Sequence, residues 1–182
     1  MKILLIRHGE ADYSAVDKKG YLGFGRDLAP LSQKGIEQAE KVSQISSLIK
    51  SQVIISSPYT RALQTASIIS KNTRINISVE LGLHERIPDL YCELRTQEEF
   101  IKSFEDYDLF EGIYPDLKKY HWESTDLQIE RLKFSLQKYL NYNQIIIVSH
   151  GELIRRFKSV RLPFCGLVEV EYDENYRFLG WS

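Results

Sequence analysis

Three short runs of consecutive apolar residues predict buried strands. They occupy residues 3–6, 53–55 and 145–148, and a weaker candidate lies at residues 75–79. Strands of a parallel sheet are covered by helices on both faces, so their sequences are apolar without alternation. The runs therefore indicate a mostly parallel sheet in the interior of the molecule.

Apolar residues recur at helical spacing between these runs, which predicts helices. The predicted helices span residues 32–50, 58–71, 93–107 and 125–140. Ser57 is the expected N-cap of the second helix, with Pro58 at its first position. Thr125 and Gln128 have the spacing of a capping box at the start of the fourth. A further helix is expected to begin at residues 150–151, directly after the last buried run.

Two stretches depart from this alternation of strands and helices. Residues 12–30 contain three glycines among polar positions and predict a long loop, a feature that is usually functional in a compact domain. Residues 168–173 alternate between apolar and acidic side chains, and residues 176–179 follow after a turn, which predicts a C-terminal hairpin. The expected fold is α/β: a three-layer sandwich with a mostly parallel central sheet, helices on both faces and an antiparallel hairpin strand.

Length, charge and cysteine content narrow the class of protein. The 182 residues are expected to form one domain, and 24 basic residues nearly balance 25 acidic ones. This balance does not favour a nucleic-acid partner. Cys92 and Cys165 are too few for a disulfide framework and indicate a reducing compartment. No apolar run approaches the roughly 20 residues that span a bilayer, so we expect a cytoplasmic protein without a membrane partner.

Basic side chains follow the ends of three predicted strands. Arg7 and His8 follow the first, Arg61 lies shortly after the second, and His150 follows the run at 145–148. The carboxyl ends of parallel strands share one edge of the sheet, where ligands of open α/β sheets bind. Because the planar fork of arginine suits phosphate oxygens, the two arginines favour a dianionic phosphate at this edge.

Other chemistries have weaker support in the sequence. The remaining histidines, His84 and His121, are not at metal-ligand spacing, and no Cys-x-x-Cys occurs, so neither a metal nor another cofactor is expected. A phosphate-binding P-loop and a Gly-x-Ser-x-Gly nucleophile elbow are also missing from the sequence. A single His-Gly pair after a strand is more often structural, but two such pairs at one sheet edge favour a functional site.

Four segments resemble the motifs of the histidine phosphatase superfamily, also called the phosphoglycerate mutase-like family. They are residues 5–10 (LIRHGE), 30–35 (PLSQKG), 56–66 (SSPYTRALQTA) and 148–155 (VSHGELIR). The resemblance implies a single domain over residues 1–182 with a small helical cap inserted at about 85–123.

The resemblance also implies roles for individual residues. His8 would be the nucleophile that carries a phosphohistidine, and Glu85, in a Leu-His-Glu context, would be the proton donor. His150 would act in catalysis, and with Arg7 and Arg61 it would hold the phosphoryl oxygens. Competing carboxylates for the donor role are Glu80, Asp89 and Glu93.

Departures from the family pattern leave the substrate open. Ser14 occupies a position where many members have an asparagine that contacts substrate, and we assign Ser14 and Gly151 to substrate binding. Glu152 replaces a small or neutral residue. The segment 85–123 is rich in acids and aromatics, which indicates either an ordinary amphipathic helix or a lid that rejects polyanions and accepts a protein or small aromatic phosphate.

The expected function is metal-independent hydrolysis of a phosphomonoester through a phosphohistidine on His8. The substrate would be a small phosphorylated metabolite or a phosphoprotein. Alternatives are a protein-phosphohistidine phosphatase, a mutase-type phosphotransferase and a phosphate-binding adaptor without catalysis. The sequence does not indicate an oligomeric state.

Overall fold

A five-stranded sheet forms the centre of the molecule, which a computed structural model describes over residues 1–116, 118 and 120–181. The strands are β1 (Lys2–Arg7), β2 (Ile54–Ser56), β3 (Ile77–Val79), β4 (Gln144–Ser149) and β5 (Leu167–Glu171). Their order is β3-β2-β4-β1-β5, and β5 runs antiparallel to β1 while the other pairs are parallel. The predicted mostly parallel sheet with an antiparallel strand at its edge is confirmed.

Helices cover the sheet and connect its strands. They are α1 (Ser14–Lys18), α2 (Gln33–Ser43), α3 (Thr60–Thr73), α4 (Gln97–Leu109), α5 (Thr125–Leu136) and α6 (Gly151–Arg155). Short 3₁₀ helices span Gly23–Leu28, Ser46–Lys50, Leu81–Leu83 and Gln137–Tyr139. Within the described ranges, no helix combines the length and apolar character needed to cross a bilayer.

The sheet has an apolar core on each face, as a three-layer sandwich requires. Ile3 and Leu5 of β1 pack with α5 and α6 on one face, whereas Leu4 and Ile6 pack with α2 and α3 on the other. All four side chains are fully buried. Burial of one such side chain stabilises the fold by roughly 1.5–3 kcal/mol, which explains why the central runs contain no polar position.

The predicted helix at 32–50 is divided in the structure. Ser32 caps α2 by accepting a hydrogen bond from the Gly35 amide at 3.0 Å, but the helix ends at Ser43. The Ser43 hydroxyl donates to the Glu40 carbonyl at 2.6 Å, a local bond that competes with continued helix. Leu48, in the following 3₁₀ helix, is still fully buried, so the apolar pattern continues past the end of α2.

The start of α3 was predicted wrongly. The helix begins at Thr60, and Tyr59 occupies the cap position in place of Ser57. Ser57 is fully buried, and its hydroxyl lies 2.7 Å from Nε2 of His150. The same hydroxyl also accepts from the Tyr59 amide at 3.3 Å, but Ser57 lies two residues before the cap position and contacts the site histidine.

The capping box predicted at Thr125 and Gln128 is also wrong. Ser124 caps α5 by accepting from the Leu127 amide, while the Thr125 hydroxyl accepts from Nη1 of Arg156 at 3.1 Å. The Gln128 amide group donates to the Tyr107 hydroxyl. A capping box does form in α4, where Thr96 and Glu99 exchange hydrogen bonds and set the start at Gln97 instead of the predicted residue 93.

Two irregular regions also differ from expectation. Residues 12–30, predicted as a loop, contain α1 and the 3₁₀ helix Gly23–Leu28. Residues 176–179 form no strand: the Tyr176 hydroxyl donates to the Phe157 carbonyl, and the Leu179 amide donates to the Arg156 carbonyl. The second arm of the predicted hairpin is therefore wrong, because this segment packs against the chain after α6 and does not pair with β5.

Candidate active site

The carboxyl ends of β1, β2 and β4 bring three of the predicted site residues together. His8 follows β1, Arg61 lies in the first turn of α3 after β2, and His150 follows β4. The ring centroids of His8 and His150 are 5.0 Å apart, and Nε of Arg61 lies 3.3 Å from Nε2 of His8. Residues that are far apart in the sequence thus meet, as the topology of a parallel sheet predicts.

Hydrogen bonds fix the tautomer of His8. Nδ1 lies 2.7 Å from the Gly9 carbonyl, which only accepts, so Nδ1 carries the proton. Nε2 then holds a lone pair and accepts the N–H of Arg61. Burial, reinforced by the charge of Arg61, lowers the pKa of His8 to about 3. His8 is therefore neutral at physiological pH, with a nucleophilic Nε2 facing the guanidinium.

His150 is held at the same edge and is fully buried. Its Nε2 lies 2.7 Å from the Ser57 hydroxyl, while Nδ1 is buried without a hydrogen-bond partner among the described residues. Burial, together with the neighbouring His8, lowers the pKa of His150 well below its ordinary value. The second histidine therefore offers a neutral imidazole close to the nucleophile.

Arg7 is anchored at one end of its guanidinium. Nη1 donates to the Leu162 carbonyl at 2.8 Å, and Cζ lies 4.3 Å from the ring centre of Phe164. Nε is buried and unpartnered within the described part of the chain. Gly151 lies against this group, since a Cβ there would be 3.6 Å from Nε of Arg7. A buried N–H of this kind fits an anion, because an unsatisfied donor costs roughly 1–3 kcal/mol.

Arg61 has a second partner that the sequence analysis missed. Its Nη1 lies 3.0 Å from Oδ1 of Asp27, at the end of the 3₁₀ helix Gly23–Leu28. Burial raises the pKa of Asp27, while the charge of Arg61 opposes that shift. The sequence signal for Asp27 was weak: it is one of several polar residues in a segment judged functional only by its length.

Glu85 lies two residues after the 3₁₀ helix Leu81–Leu83 that follows β3, and it shares a cleft with Arg61. Its Oε1 accepts from the Arg86 amide at 3.0 Å, and its Oε2 accepts from the Glu152 amide at 3.3 Å. Burial raises the pKa of the Glu85 carboxyl, and the neighbouring Glu152 carboxylate adds to this effect. A carboxyl group with a raised pKa is suited to donate a proton.

A cleft of about 640 Å³ opens beside Arg61 and Glu85. The 3₁₀ helix Gly23–Leu28 and α4 both contribute to its walls. Its other charged lining residues are Arg26, Asp27, Arg86 and Glu152. His8 is only 6% exposed and contacts Arg61, so the cleft leads to the group that touches the candidate nucleophile.

Comparison with known protein families agrees with this geometry. The model of the histidine phosphatase superfamily (branch 1) matches residues 3–175. The chain belongs to this superfamily. The match includes every segment that carried the sequence resemblance, and the α/β sheet brings His8, Arg61 and His150 of these segments together at one edge.

Relatives of this superfamily member extend over nearly its whole length. It is 30% identical over 192 residues to the uncharacterized phosphatase PhoE of Bacillus subtilis, an alignment that covers 99% of this chain and 93% of the relative. It is 27% identical over 202 residues to a probable phosphoglycerate mutase, GpmB, of Proteus mirabilis, covering 100% and 90%. The relatives thus include both phosphatase and mutase-like proteins.

Solved structures of similar fold have lower identity. The alpha-ribazole phosphatase from Shigella flexneri superposes with a TM-score of 0.70 at 20% identity, covering 100% of this chain and 96% of that one. YhfR of Bacillus stearothermophilus gives a TM-score of 0.71 at 21% identity, covering 98% and 94%. These similarities show that the histidine phosphatase fold is shared.

Not every residue that the sequence assigned to the site lies there. Ser14 is exposed at the start of α1, where its amide donates to Asp12 at 2.9 Å, and its neighbour Tyr13 lines the cleft in its place. The assignment of Ser14 to substrate binding is therefore not supported by its position. Gly151 does lie at the site, through its packing against Arg7.

The competing carboxylates lie in other surroundings. Glu80 contacts the Tyr139 hydroxyl and Lys138, whereas Asp89 lies 3.3 Å from Nδ1 of His121. Glu93 lies 4.0 Å from the same His121 nitrogen. Of these carboxylates and Glu85, all within the described ranges, only Glu85 lines the cleft.

The donor set at the site suits an anion. The described residues contain no group of three or more His, Cys, Asp and Glu side chains placed to hold a metal ion. The groups that do converge are two guanidinium groups and two neutral imidazoles, with buried N–H or ring nitrogen atoms left for a ligand. Such donors match the oxygens of a phosphoryl group.

Proposed function

We propose that this protein is a phosphatase that hydrolyses a phosphomonoester through a phosphohistidine on His8, without a metal ion. The observation that carries the proposal is the neutral Nε2 of His8 facing Nε of Arg61 at 3.3 Å. Membership of the histidine phosphatase superfamily and the similarity to PhoE support phosphatase chemistry.

In the first step, Nε2 of His8 attacks the phosphorus atom in line with the leaving oxygen. The N–P bond forms as the P–O bond breaks, and Arg7 and Arg61 balance the negative charge of the phosphoryl oxygens. The N–H of Arg61 turns from Nε2 to a phosphoryl oxygen. The Gly9 carbonyl accepts from Nδ1 of His8 and stabilises the positive charge that develops on the ring.

Glu85 donates a proton in the first step and removes a proton from water in the second. Its protonated carboxyl donates to the leaving alkoxide, which would otherwise depart as a strong base. The resulting carboxylate then removes a proton from a water molecule, whose oxygen attacks the phosphorus. Inorganic phosphate leaves, Nε2 recovers its lone pair, and Glu85 is again protonated.

A mutase is the second candidate, because the chain is also similar to the probable phosphoglycerate mutase GpmB. The same phosphohistidine would then transfer its phosphoryl group to an alcohol and not to water. Measured transfer to glycerol against release of inorganic phosphate separates the two functions.

We further propose that the substrate is a small phosphorylated metabolite or a phosphoprotein, and that the protein acts in the cytoplasm. The free thiols Cys92 and Cys165 are consistent with that location.

The test is hydrolysis of p-nitrophenyl phosphate in the presence of EDTA. The wild type is expected to hydrolyse this ester. The kcat of His8→Ala is expected to be lower by a factor of about a thousand or more, because covalent catalysis is removed. His121→Gln is the matched control, since it changes a histidine that lies outside the cleft lining. Turnover that persists in His8→Ala, or that EDTA abolishes, would refute the proposal.

A further inference from the structure

One face of α4 is turned toward the cleft. Gln97, Phe100, Ile101 and Phe104 all line it, at the spacing i, i+3, i+4 and i+7 that defines a single helical face. Leu22 adds a further apolar side chain from the residue preceding the 3₁₀ helix Gly23–Leu28.

Part of this apolar face remains exposed to solvent. Phe100 is buried, but Ile101 and Phe104 are 46% and 42% exposed. Large apolar side chains grouped on a cleft wall are typical of ligand pockets. An apolar group of a substrate would cover them when its phosphate is bound at Arg61.

Two of the three arginines that line the cleft are paired with carboxylates. Nη1 of Arg26 lies 2.6 Å from Asp17, and Nη1 of Arg61 lies 3.0 Å from Asp27. Arg86 stacks on aromatic rings, with Cζ 4.7 Å from the centre of Phe104 and 3.9 Å from that of Tyr107. Its Nε and Nη1 are buried and have no hydrogen-bond partner in the described part of the chain.

Carboxyl groups offset the charge of Arg86 on the same walls. Asp27 and Glu152 line the cleft beside Glu85, which the proposed mechanism keeps protonated and uncharged. Oε1 of Glu152 pairs with Arg155 at 2.8 Å, whereas Oε2 is buried and has no partner among the described residues. Once a phosphate dianion occupies Arg61, these carboxyl groups leave little positive charge for a second anion.

We propose that the cleft selects phosphomonoesters whose leaving group is apolar, preferably aromatic, and carries no second anionic group. This inference deepens the proposed function and rests on it. α4 supplies the surface that covers the leaving group, and Glu152 repels a carboxylate or phosphate attached to it.

Three esters of alcohols with similar basicity test the inference. They are propyl phosphate, 2-phenylethyl phosphate and 2-(4-carboxyphenyl)ethyl phosphate. We expect kcat/KM to be about tenfold higher for the phenylethyl ester than for the propyl ester, because the ring is buried against Phe104 and Ile101. The added carboxylate is expected to lower kcat/KM about tenfold relative to the phenylethyl ester.

Variants assign the preference to the named residues. Phe104→Ala and Ile101→Ser, each of a partly exposed side chain, are expected to reduce the phenylethyl advantage to about threefold or less. Leu109→Ala is the matched control, because Leu109 is exposed on α4 outside the cleft lining. Glu152→Gln is expected to raise kcat/KM severalfold for the carboxylated ester relative to the phenylethyl ester, a ratio in which an effect on the neighbouring Glu85 cancels.

The outcomes separate the inference from the proposed function. Equal kcat/KM for the propyl and phenylethyl esters, or a preference for the carboxylated ester, would overturn the inference and leave the phosphatase function in place. A preference that Phe104→Ala and Ile101→Ser leave unchanged would also overturn it. Failure of the folded wild type to hydrolyse any ester, p-nitrophenyl phosphate included, would overturn both.

Discussion

Nη1 of Arg61 lies 3.0 Å from Oδ1 of Asp27, while Nε of the same guanidinium donates to Nε2 of His8. The arginine assigned to phosphate binding is therefore already paired with a carboxylate. The side chain of Arg61 is only 5% exposed and that of Asp27 22% exposed, so water screens this ion pair weakly. An incoming phosphate must share the guanidinium with Asp27 or displace it.

Asp27→Asn is expected to tighten phosphate binding. Removing the competing charge frees one side of Arg61, and we expect the inhibition constant of inorganic phosphate to fall about three- to tenfold. Asp108→Asn removes an exposed carboxylate on α4 and is the control. A higher inhibition constant in Asp27→Asn would instead show that Asp27 holds Arg61 in its binding position.

Glu85→Gln is expected to affect substrates according to their leaving groups. An alkyl alkoxide needs a proton and p-nitrophenolate does not, so kcat should fall about a hundredfold or more for an alkyl ester and far less for p-nitrophenyl phosphate. Steady-state kinetics on both esters measure the difference. An equal loss on both would contradict the proton-donor role.

The carboxyl group of Glu85 also predicts how kcat depends on pH. Because its pKa is raised, Glu85 stays protonated above the ordinary range of a glutamic acid, and kcat for an alkyl ester should fall as pH rises through that raised pKa. Nucleophilic His8 remains neutral down to pH about 3. In Glu85→Gln the alkaline decline should vanish, after correction for the ionisation of the substrate; a decline that persists would assign it to another group.

Burial of neutral His8 makes stability depend on pH. The folded-state pKa of about 3 lies below the unfolded value of 6.5, so the unfolded chain binds more protons and stability falls as pH falls from 6.5 toward 3. Between pH 7 and pH 5 this costs about 2 kcal/mol. Urea unfolding of His8→Asn should show a correspondingly smaller loss over this range than the wild type, and parallel losses would refute the burial argument.

The loop after β1 is held by a glycine contact with α2. A Cβ at Gly9 would lie 2.5 Å from the Gly35 carbonyl, and a Cβ at Gly35 would collide with the Glu10 carbonyl. Gly35→Ala is therefore expected to lower the free energy of unfolding by about 1–3 kcal/mol and to reduce activity, because the backbone beside His8 must shift. Gly180→Ala, where a Cβ meets nothing within 4 Å, is the control; an unaffected Gly35→Ala would contradict this account.

The features that follow from burial and topology were predictable from the sequence. The runs in β1 and β4 are apolar because both sheet faces are covered, and the shared edge then brings His8, Arg61 and His150 together. Local capping rules failed where a side chain is used elsewhere. Ser57 contacts His150 and lies two residues before the cap of α3, and Thr125 accepts from Arg156 while Ser124 caps α5.

Contacts between distant segments account for the remaining differences. The partnership of Asp27 with Arg61 depends on how residues 12–30 fold over α3, which no local pattern in that segment specifies. Residues 176–179 follow a turn after the alternating segment 168–173, yet the Tyr176 hydroxyl and the Leu179 amide bond to the chain after α6. Periodicity predicts which residues are buried, but it does not predict which surface of the molecule covers them.

The phosphohistidine on His8 is tested most directly by intact-mass spectrometry of the protein, quenched during turnover of p-nitrophenyl phosphate and kept at neutral to alkaline pH. The account predicts an added mass of one phosphoryl group, about 80 Da, located on His8 by peptide sequencing and missing from His8→Ala. Rapid turnover with no added mass at any quench time, or a phosphoryl group on another residue, would contradict it.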